Sequence, residues 1–311
     1  MVNRFAGAPA AWLQQQLGQA VLGRRAVGGG CIHAAWRVEL ADGAVVFVKT
    51  NSAPLLPLLQ AEADGLAALA AVAPNGLQVP VPLACGEAGE QALLVLPWLE
   101  LLTAPGAGPS AWRDLGRALA RLHRASVAAG PGRGRFGWQR DNVIGSTPQP
   151  NGWHDDWGLF FAERRLGHQL QLAAARGLPL RRGAALLAQV PSWLGQHKPE
   201  AVLVHGDLWS GNAALLAGGG GTVYDPAVYR ADREVDLAMT RLFGGFPAAF
   251  EDGYQEEWPL PPDAETRVEL YNLYHLLNHA NLFGGGYVTQ AQASINRLLD
   301  QAQLRDQPRY S

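Results

Sequence analysis

The residues best suited to chemistry are two carboxylates and an amide in the second half of the chain. Asp207 and Asn212 lie in the segment 204–212, which reads VHGDLWSGN, and Asp225 follows thirteen residues after Asn212. Kinase-type phosphoryl transfer needs these residue types in this order, because one carboxylate faces the attacking hydroxyl while an amide oxygen and a second carboxylate hold Mg²⁺ on the nucleotide phosphates. A His-Gly-Asp triplet alone is more often a turn. The three residues together predict Asp207 as a catalytic base and Asn212 and Asp225 as metal ligands.

The first hundred residues supply groups for a nucleotide. Gly28, Gly29 and Gly30 precede a β-type run, and their backbone N–H groups are free to approach phosphates closely. Lys49 ends the next β-type run, where a lysine contacts α- and β-phosphates, and Glu62 on the following helix is placed to hold it by an ion pair. Each signal alone has a simpler interpretation, a glycine-rich turn or a solvated lysine. Their order along the chain makes the set predictive of a nucleotide site.

The elements that position these groups begin with a small α+β unit. An Asp-Gly step between two runs rich in Val, Ile, Phe and Trp is typical of a β-hairpin. Apolar spacing on either side of the hairpin indicates two helices, and a short apolar run after two prolines indicates a buried strand. The hairpin strands are expected at 32–40 and 44–49, the helices near 12–17 and at 55–71, and the buried strand at 92–96.

A larger, mainly helical part is expected after the Pro- and Gly-rich stretch 103–109, which suits a linker. Two short apolar strands, at 201–204 and 222–224, interrupt its helical periodicity. The helical segments are 112–128, 157–175, 183–195, 234–243 and 264–283. The sequence therefore predicts an α+β fold of two lobes: a small β-rich nucleotide-binding lobe over 1–99 and a larger catalytic and substrate-binding lobe over 100–311.

Composition excludes several classes of partner. The chain has 311 residues and a net charge of −2, so no general attraction to nucleic acid or anionic membranes follows. Its longest strongly apolar run, 92–99, is far shorter than the roughly 18 residues of a membrane span. The first residues lack the order of a secretory signal, and two cysteines are too few for a disulfide framework. We expect a cytoplasmic protein without nucleic-acid or membrane partners.

On these residues the chain resembles the fructosamine-3-kinase (ketosamine kinase) family, within the protein-kinase-like phosphotransferase fold, from about residue 25 to 299. The glycine segment 28–32 resembles the phosphate loop of the family, Phe47-Val48-Lys49 resembles its nucleotide lysine, and 205–212 resembles its catalytic loop. Further matches are Asp156-Trp157 with the helix that follows, 225–227 (DPA), 236–239 (DLAM) and 243–246 (FGGF).

The resemblance implies ATP-dependent phosphorylation of the 3-hydroxyl of ketosamines, the Amadori products of sugars and amines. The 3-phosphate makes the adduct labile, so the activity repairs glycated protein, and bacterial relatives are thought to favour ribulosamines or erythrulosamines. ATP and Mg²⁺ are the implied cofactors. Pro97, Trp98 and Leu99 align with the hinge that faces adenine. Because Pro97 has no N–H, Trp98 or, more readily, Leu99 must donate to the base.

Two positions depart from protein kinases proper. Gly206 stands where they have Arg, and Trp209 stands where they often have Lys. Charge neutralisation of the transferred phosphoryl should then depend more on Mg²⁺ and Lys49, or on a further group that the sequence does not identify. Asp207 should need no unusual basicity, and an ordinary pKa of about 3.9 would suffice, because orientation of the hydroxyl matters more than basicity in a loose transition state.

The substrate side offers several candidates. Trp209, two residues after the base, is placed to stack on a sugar-amine face, with a core tryptophan as the alternative. Asp155 and Asp156 are placed to attract a cationic amine, with helix caps as the alternative. His279 shares one predicted helix with four other polar or aromatic residues, and this helix suits a pocket wall as well as a packing helix. The other four are Tyr271, Tyr274, His275 and Asn278.

The two cysteines differ in context. Cys31 lies beside the phosphate loop, where the family is known for a redox-sensitive cysteine, whereas Cys85 lies between Pro82 and Gly86 and suits a structural role. The partner states that follow are a monomer or a homodimer linked through Cys31, with an inert Cys31 as the alternative.

Two other functions remain open at this point. A kinase of another small hydroxylated amine, such as an aminoglycoside or choline, would share the base and the metal ligands, but Trp209 and the FGGF segment favour a ketosamine kinase. A non-catalytic nucleotide-binding protein would be expected to lack one of the key residues, and all four of them, Lys49, Asp207, Asn212 and Asp225, are present.

Overall fold

The computed structural model describes residues 7–28, 33–102 and 108–306. The first part of the chain forms α1 (Ala8–Leu17), β1 (Val21–Val27), β2 (Ala34–Leu40), β3 (Val45–Ser52), α2 (Leu56–Ala70), β4 (Leu77–Gln78), β5 (Ala84–Ala88) and β6 (Gln91–Pro97). Five of the strands form one antiparallel sheet in the order β1-β2-β3-β6-β5.

The predicted hairpin is confirmed as β2 and β3. Their pairing runs from Ala34 opposite Thr50 to Glu39 opposite Val45. In the turn, Asp42 Oδ1 accepts the N–H of Ala44 at 3.0 Å. Gly43 takes a φ of +86°, which glycine adopts without the steric cost that a side chain brings.

The predicted buried strand is confirmed as β6, and both of its faces are covered. Leu94 and Leu96 pack into the large core that also holds Leu59 and Leu66 of α2, while Leu93 and Val95 belong to a smaller cluster with Leu13 of α1. Because side chains alternate along a strand, a strand buried on both faces reads as a continuous apolar run rather than an alternating one.

The rest of the chain is mainly helical, as predicted. Its helices are α3 (Pro109–Ser126), α4 (Trp157–Phe160), α5 (His168–Ala175), α6 (Gly183–Gly195), α7 (Glu234–Arg241), α8 (Ala248–Glu257), α9 (Val268–Phe283) and α10 (Gly286–Asp306), with a π-helical stretch, Phe161–Gly167, joining α4 to α5. Its strands are β7 (Asn142–Ile144), β8 (Thr147–Gln149), β9 (Val202–Val204), β10 (Ala213–Leu215), β11 (Gly221–Val223) and β12 (Tyr229–Ala231). They form the pairs β7–β8 and β9–β12 and the three-stranded sheet β10-β11-β4.

The two parts of the chain are joined by β4, which precedes residue 99 but pairs in parallel with β11. The predicted boundary near residue 99 falls between β6 and α3, and residues 103–107 of the expected linker lie outside the described residues. In the described part of the chain, every helix is too short or too polar to cross a lipid bilayer.

Candidate active site

The loop 205–212 connects β9 to β10, and Asp236 of α7 accepts hydrogen bonds from its backbone. The two carboxylate oxygens of Asp236 accept the backbone N–H groups of His205 at 2.7 Å and Gly206 at 2.8 Å. Although burial acts in the opposite direction, hydrogen bonding and charge from His123, with help from His205, lower the pKa of Asp236. An ionised carboxylate therefore fixes the backbone of the loop immediately before Asp207.

Gly206 is required at its position for two reasons. Its φ is +81°, and a Cβ atom there would lie 2.2 Å from the carbonyl oxygen of Ala227. No side chain fits in that space, so the arginine of protein kinases is excluded by the packing of the loop against the segment that precedes β12.

Asp207 and Asn212 face each other across the loop. Asn212 Nδ2 lies 2.9 Å from the carbonyl oxygen of Asp207 and 3.2 Å from its Oδ2. The amide nitrogen is thus used within the loop, which leaves Asn212 Oδ1 as its ligand atom. Burial first, and then the charge of Asp225, raise the pKa of Asp207 to about 7. This pKa is higher than the ordinary value that would suffice for the reaction, because the loop withdraws Asp207 from water beside a second carboxylate.

Asp225 returns to this site through the short strand pair β10–β11, and β11 corresponds to the strand expected at 222–224. Ala213 is opposite Val223 in the pair, and the N–H of Tyr224 donates to the carbonyl oxygen of Asn212 at 3.0 Å. Asp225 itself adopts a φ of +56°, which is uncommon for a residue with a side chain and often accompanies a functional position.

Lys49 of β3 joins the first part of the chain to this site. Its Nζ donates to Glu62 Oε1 of α2 at 2.7 Å and also contacts Asp225 Oδ1. Burial acts against the charged amine, but the carboxylates of Glu62 and Asp225 outweigh it, so the pKa of Lys49 is raised. Burial also raises the pKa of Glu62, against the opposing effect of Lys49. The structure thus brings Lys49, Glu62, Asp225, Asn212 and Asp207 together.

The hinge residues lie at the end of β6. The backbone N–H of Trp98 donates to the carbonyl oxygen of Val45 at 3.4 Å, so it is engaged within the sheet. Of the two donors that the sequence left open, Leu99 therefore stays the predicted donor to adenine. Gly28 follows β1 directly, whereas Gly29, Gly30 and Cys31 lie outside the described residues.

The proposed substrate residues fall into two groups. Trp209 is 38% exposed beside the base, and His279 lies one helical turn after His275, whose Nδ1 is 3.8 Å from Asp207 Oδ1. Asp155 instead pairs with Arg135 at 2.8 Å, and Asp156 caps α4 by accepting the N–H of Leu159 at 2.8 Å. The described contacts connect neither acid to Asp207, and their role toward an amine stays a prediction.

Sequence reasoning missed two features of the site. One is the support that Asp236 and His123 give to the loop. The other is an aromatic cluster around His279, whose ring lies 4.4 Å from that of Phe243 and 5.1 Å from that of Tyr287. The segments DLAM and FGGF, which contain Asp236 and Phe243, were visible as motifs. Their contacts were not, because Asp236 meets His123 from 113 residues earlier in the chain and Phe243 meets His279 and Tyr287 from later helices.

Comparison with known proteins gives one consistent family. A model described as fructosamine kinase matches residues 6–301. The chain is 47% identical over 301 residues to the probable ketoamine kinase of Synechocystis sp., covering 94% of this chain and 98% of that protein. It is 37% identical over 277 residues to the chloroplastic protein-ribulosamine 3-kinase of Arabidopsis thaliana, covering 88% and 81%.

Solved structures agree with the sequence comparison. A fructosamine-3-kinase candidate from Haemophilus somnus superposes with a TM-score of 0.84 at 30% identity, covering 94% of this chain and 97% of that one. The aminoglycoside phosphotransferase APH(4)-Ia superposes with a TM-score of 0.60 at 18% identity, covering 94% and 99%. The second likeness concerns the fold alone, and it places the chain in the protein-kinase-like fold that we expected.

Proposed function

The chain belongs to the fructosamine kinase family and is an ATP-dependent phosphotransferase, and from that premise we propose that it transfers the γ-phosphoryl group of ATP to the 3-hydroxyl of a ketosamine. The main support is the meeting of Asp207, Asn212, Asp225 and Lys49 in one site, since each supplies a different requirement of this reaction. The proposal includes release of the amine from the labile 3-phosphate, and hence repair of glycated amines.

Asp207 accepts the proton of the attacking hydroxyl. Its Oδ2 is held by Asn212, while Oδ1 has no hydrogen-bond partner among the described residues and is open to the substrate. The hydroxyl oxygen forms the new bond to the γ-phosphorus, the bond from that phosphorus to the β,γ-bridging oxygen breaks, ADP leaves, and the proton passes to Oδ1. Orientation of the carboxylate toward the hydroxyl matters more for this task than basicity, because the proton leaves late in a loose transition state.

The nucleotide is held by groups from both parts of the chain. Lys49, fixed by Glu62, binds the phosphates, and the N–H of Leu99 donates to adenine. Asn212 Oδ1 and the Asp225 carboxylate are hard oxygen donors, the type that Mg²⁺ prefers, so these residues fit the ion. When bound, Mg²⁺ would neutralise charge on the phosphates.

Trp209 and His279 form the substrate side of the proposed site. Trp209 follows Asp207 by two residues, and its backbone N–H donates to the carbonyl oxygen of Asp207. His279 lies one helical turn after His275, which faces Asp207. An exposed indole presents a flat apolar face on which a sugar can pack. A ribulosamine is the substrate that we propose first, because the relative from Arabidopsis thaliana named above is a protein-ribulosamine 3-kinase.

The decisive experiment measures ADP release with ribulosamine, erythrulosamine and fructosamine adducts of one amine, with an aminoglycoside and choline as controls. We expect turnover of at least one ketosamine, with the phosphate on oxygen 3 by phosphorus NMR of the product. Turnover of a control alone would contradict the proposal and favour the kinase of another hydroxylated amine.

A further inference from the structure

Helix α9 carries a buried imidazole that the reaction as described above does not use. His275 is 3% exposed, and its Nδ1 has no hydrogen-bond partner. A buried polar atom without a hydrogen-bond partner lowers the stability of the fold, and native proteins contain few such atoms. A retained one therefore often has a functional role.

The group that faces this nitrogen is the proposed base. Nδ1 of His275 lies 3.8 Å from Oδ1 of Asp207, which is about 0.9 Å beyond a normal hydrogen bond. Burial is the main reason why the pKa of His275 is lowered to about 3, and the neighbouring His279 and Arg165 lower it further. The charge of Asp236 acts in the opposite direction. The imidazole is therefore neutral and has one proton to place on either nitrogen.

Asp207 needs support on the side where His275 lies. Its Oδ2 is held by Asn212 at 3.2 Å, but its Oδ1 is held by no described residue. The terminal torsion of a carboxylate is broad, so a carboxylate fixed at one oxygen only can turn about its last bond. A base must stay within hydrogen-bond reach of one hydroxyl, and catalytic hydrogen bonds that are long in a free enzyme commonly shorten in the substrate complex.

We propose that His275 is a positioning residue for phosphoryl transfer, whose Nδ1–H donates to Oδ1 of Asp207 when substrate fills the site and so fixes the plane of the carboxylate toward the attacking hydroxyl. The proposal rests on the role of Asp207 given under the proposed function. Oδ1 retains a second lone pair for the hydroxyl proton, because a carboxylate oxygen accepts two hydrogen bonds. A hydrogen bond to a charged group of this kind corresponds to about a 10- to 100-fold effect on rate.

Two substitutions separate this role from packing. The amide nitrogen of asparagine is attached at the same carbon as Nδ1 of histidine, whereas that of glutamine reaches the place of Nε2. We expect His275→Asn to keep kcat for the ketosamine within about threefold of the wild type. We expect His275→Gln and His275→Phe to lower kcat by about 10- to 100-fold, with KM for ATP unchanged within twofold.

The contrary outcomes are equally definite. Full kcat in His275→Gln or His275→Phe would overturn the proposal, and so would equal losses in the Asn and Gln variants, which is what a purely structural residue would give. If His275→Phe does not fold, the Asn and Gln pair decides the question alone.

A spectroscopic readout keeps this inference separate from the identity of the substrate. Nitrogen NMR of the histidine-labelled full chain with ATP and ketosamine added shows which ring nitrogen of His275 is protonated. We expect Nδ1–H, and an Nε2–H tautomer would overturn the proposal. Absence of ketosamine turnover by the wild type, with Nδ1–H still present, would instead refute the proposed function and leave the contact between His275 and Asp207 standing.

Discussion

Replacing Asp207 by Asn should stabilise the free enzyme, and the gain should grow with pH. The folded pKa of Asp207 is about 7, raised by burial and by Asp225, while an unfolded aspartate has a pKa near about 3.9. A raised carboxyl pKa means that the folded state binds the proton more tightly than the unfolded state does. The contribution of the protonated group is fully present below about pH 4 and is lost as the pH rises toward 7.

The size of the effect follows from these two pKa values. The full difference corresponds to about 4 kcal/mol of destabilisation at pH 8 and about 1.5 kcal/mol at pH 5. The Asp207 side chain is 19% exposed, so water screens part of its charge, and about half of the difference between the two pH values remains. We therefore expect Asp207→Asn to gain about 1 to 2 kcal/mol more at pH 8 than at pH 5, which is a rise of roughly 1.5 to 3 °C in the Tm difference for a chain of 311 residues.

Thermal unfolding of both proteins without nucleotide, at pH 5 and pH 8, measures this quantity. His275 is neutral in the folded protein across this range, because its pKa is lowered to about 3. Its titration in the unfolded chain is common to both proteins, so it cancels in the difference between them. Asp155→Asn is the matched control, since it removes the same charge from a side chain that is 84% exposed and should give no such growth with pH. A Tm difference for Asp207→Asn that stays constant or shrinks toward pH 8 would refute the reasoning. The same variant should lose most turnover while it still binds nucleotide.

Three further predictions concern the lysine, the loop glycine and the second cysteine. Lys49→Met should weaken binding of a non-hydrolysable ATP analogue at least tenfold, measured by calorimetry. It should also destabilise the protein by about 3 to 5 kcal/mol, because it leaves Glu62 buried without its cation. Unchanged affinity for the analogue would remove Lys49 from the nucleotide site. Gly206→Ala should lower the free energy of unfolding in urea by about 2 to 3 kcal/mol more than Gly219→Ala does. Both glycines have a positive φ, but only at Gly206 does a carbonyl oxygen lie 2.2 Å from the added Cβ. Equal losses in the two variants would contradict this explanation. Burial, and then nearby negative charge, raise the pKa of Cys85 to about 11. In a Cys31→Ser variant, alkylation of Cys85 at pH 8 should therefore be about 200-fold slower than alkylation of an ordinary thiol. A normal rate would contradict that pKa.

The parts of this molecule that follow from local sequence were predicted well. The Asp-Gly hairpin, helix α2, strand β6 and strand β11 each depend on turn chemistry or periodicity within about twenty residues. The meeting of Asp207, Asn212 and Asp225 was also predictable, because these residues are close along the chain.

What the sequence did not reveal depends on distant packing. Strand β1 reads VLGRRAV, which shows no alternation, and it is a strand because β2 pairs with it. The anchoring of the loop by Asp236 and His123 crosses 113 residues between those two side chains. The raised pKa of Asp207 required knowledge of its burial, and the choice of Leu99 over Trp98 required the contact of Trp98 with Val45. None of these quantities has a local signature.

The pairing of β4 with β11 affects how the protein is made. During synthesis, β4 emerges from the ribosome long before its partner, so the backbone edge that pairs with β11 stays unpaired until residues 221–223 have been translated. Asp225 emerges directly afterwards. The nascent chain therefore completes the structural seam between its halves and acquires the last carboxylate beside Lys49 at almost the same moment, and a fragment that stops at residue 99 would lack both.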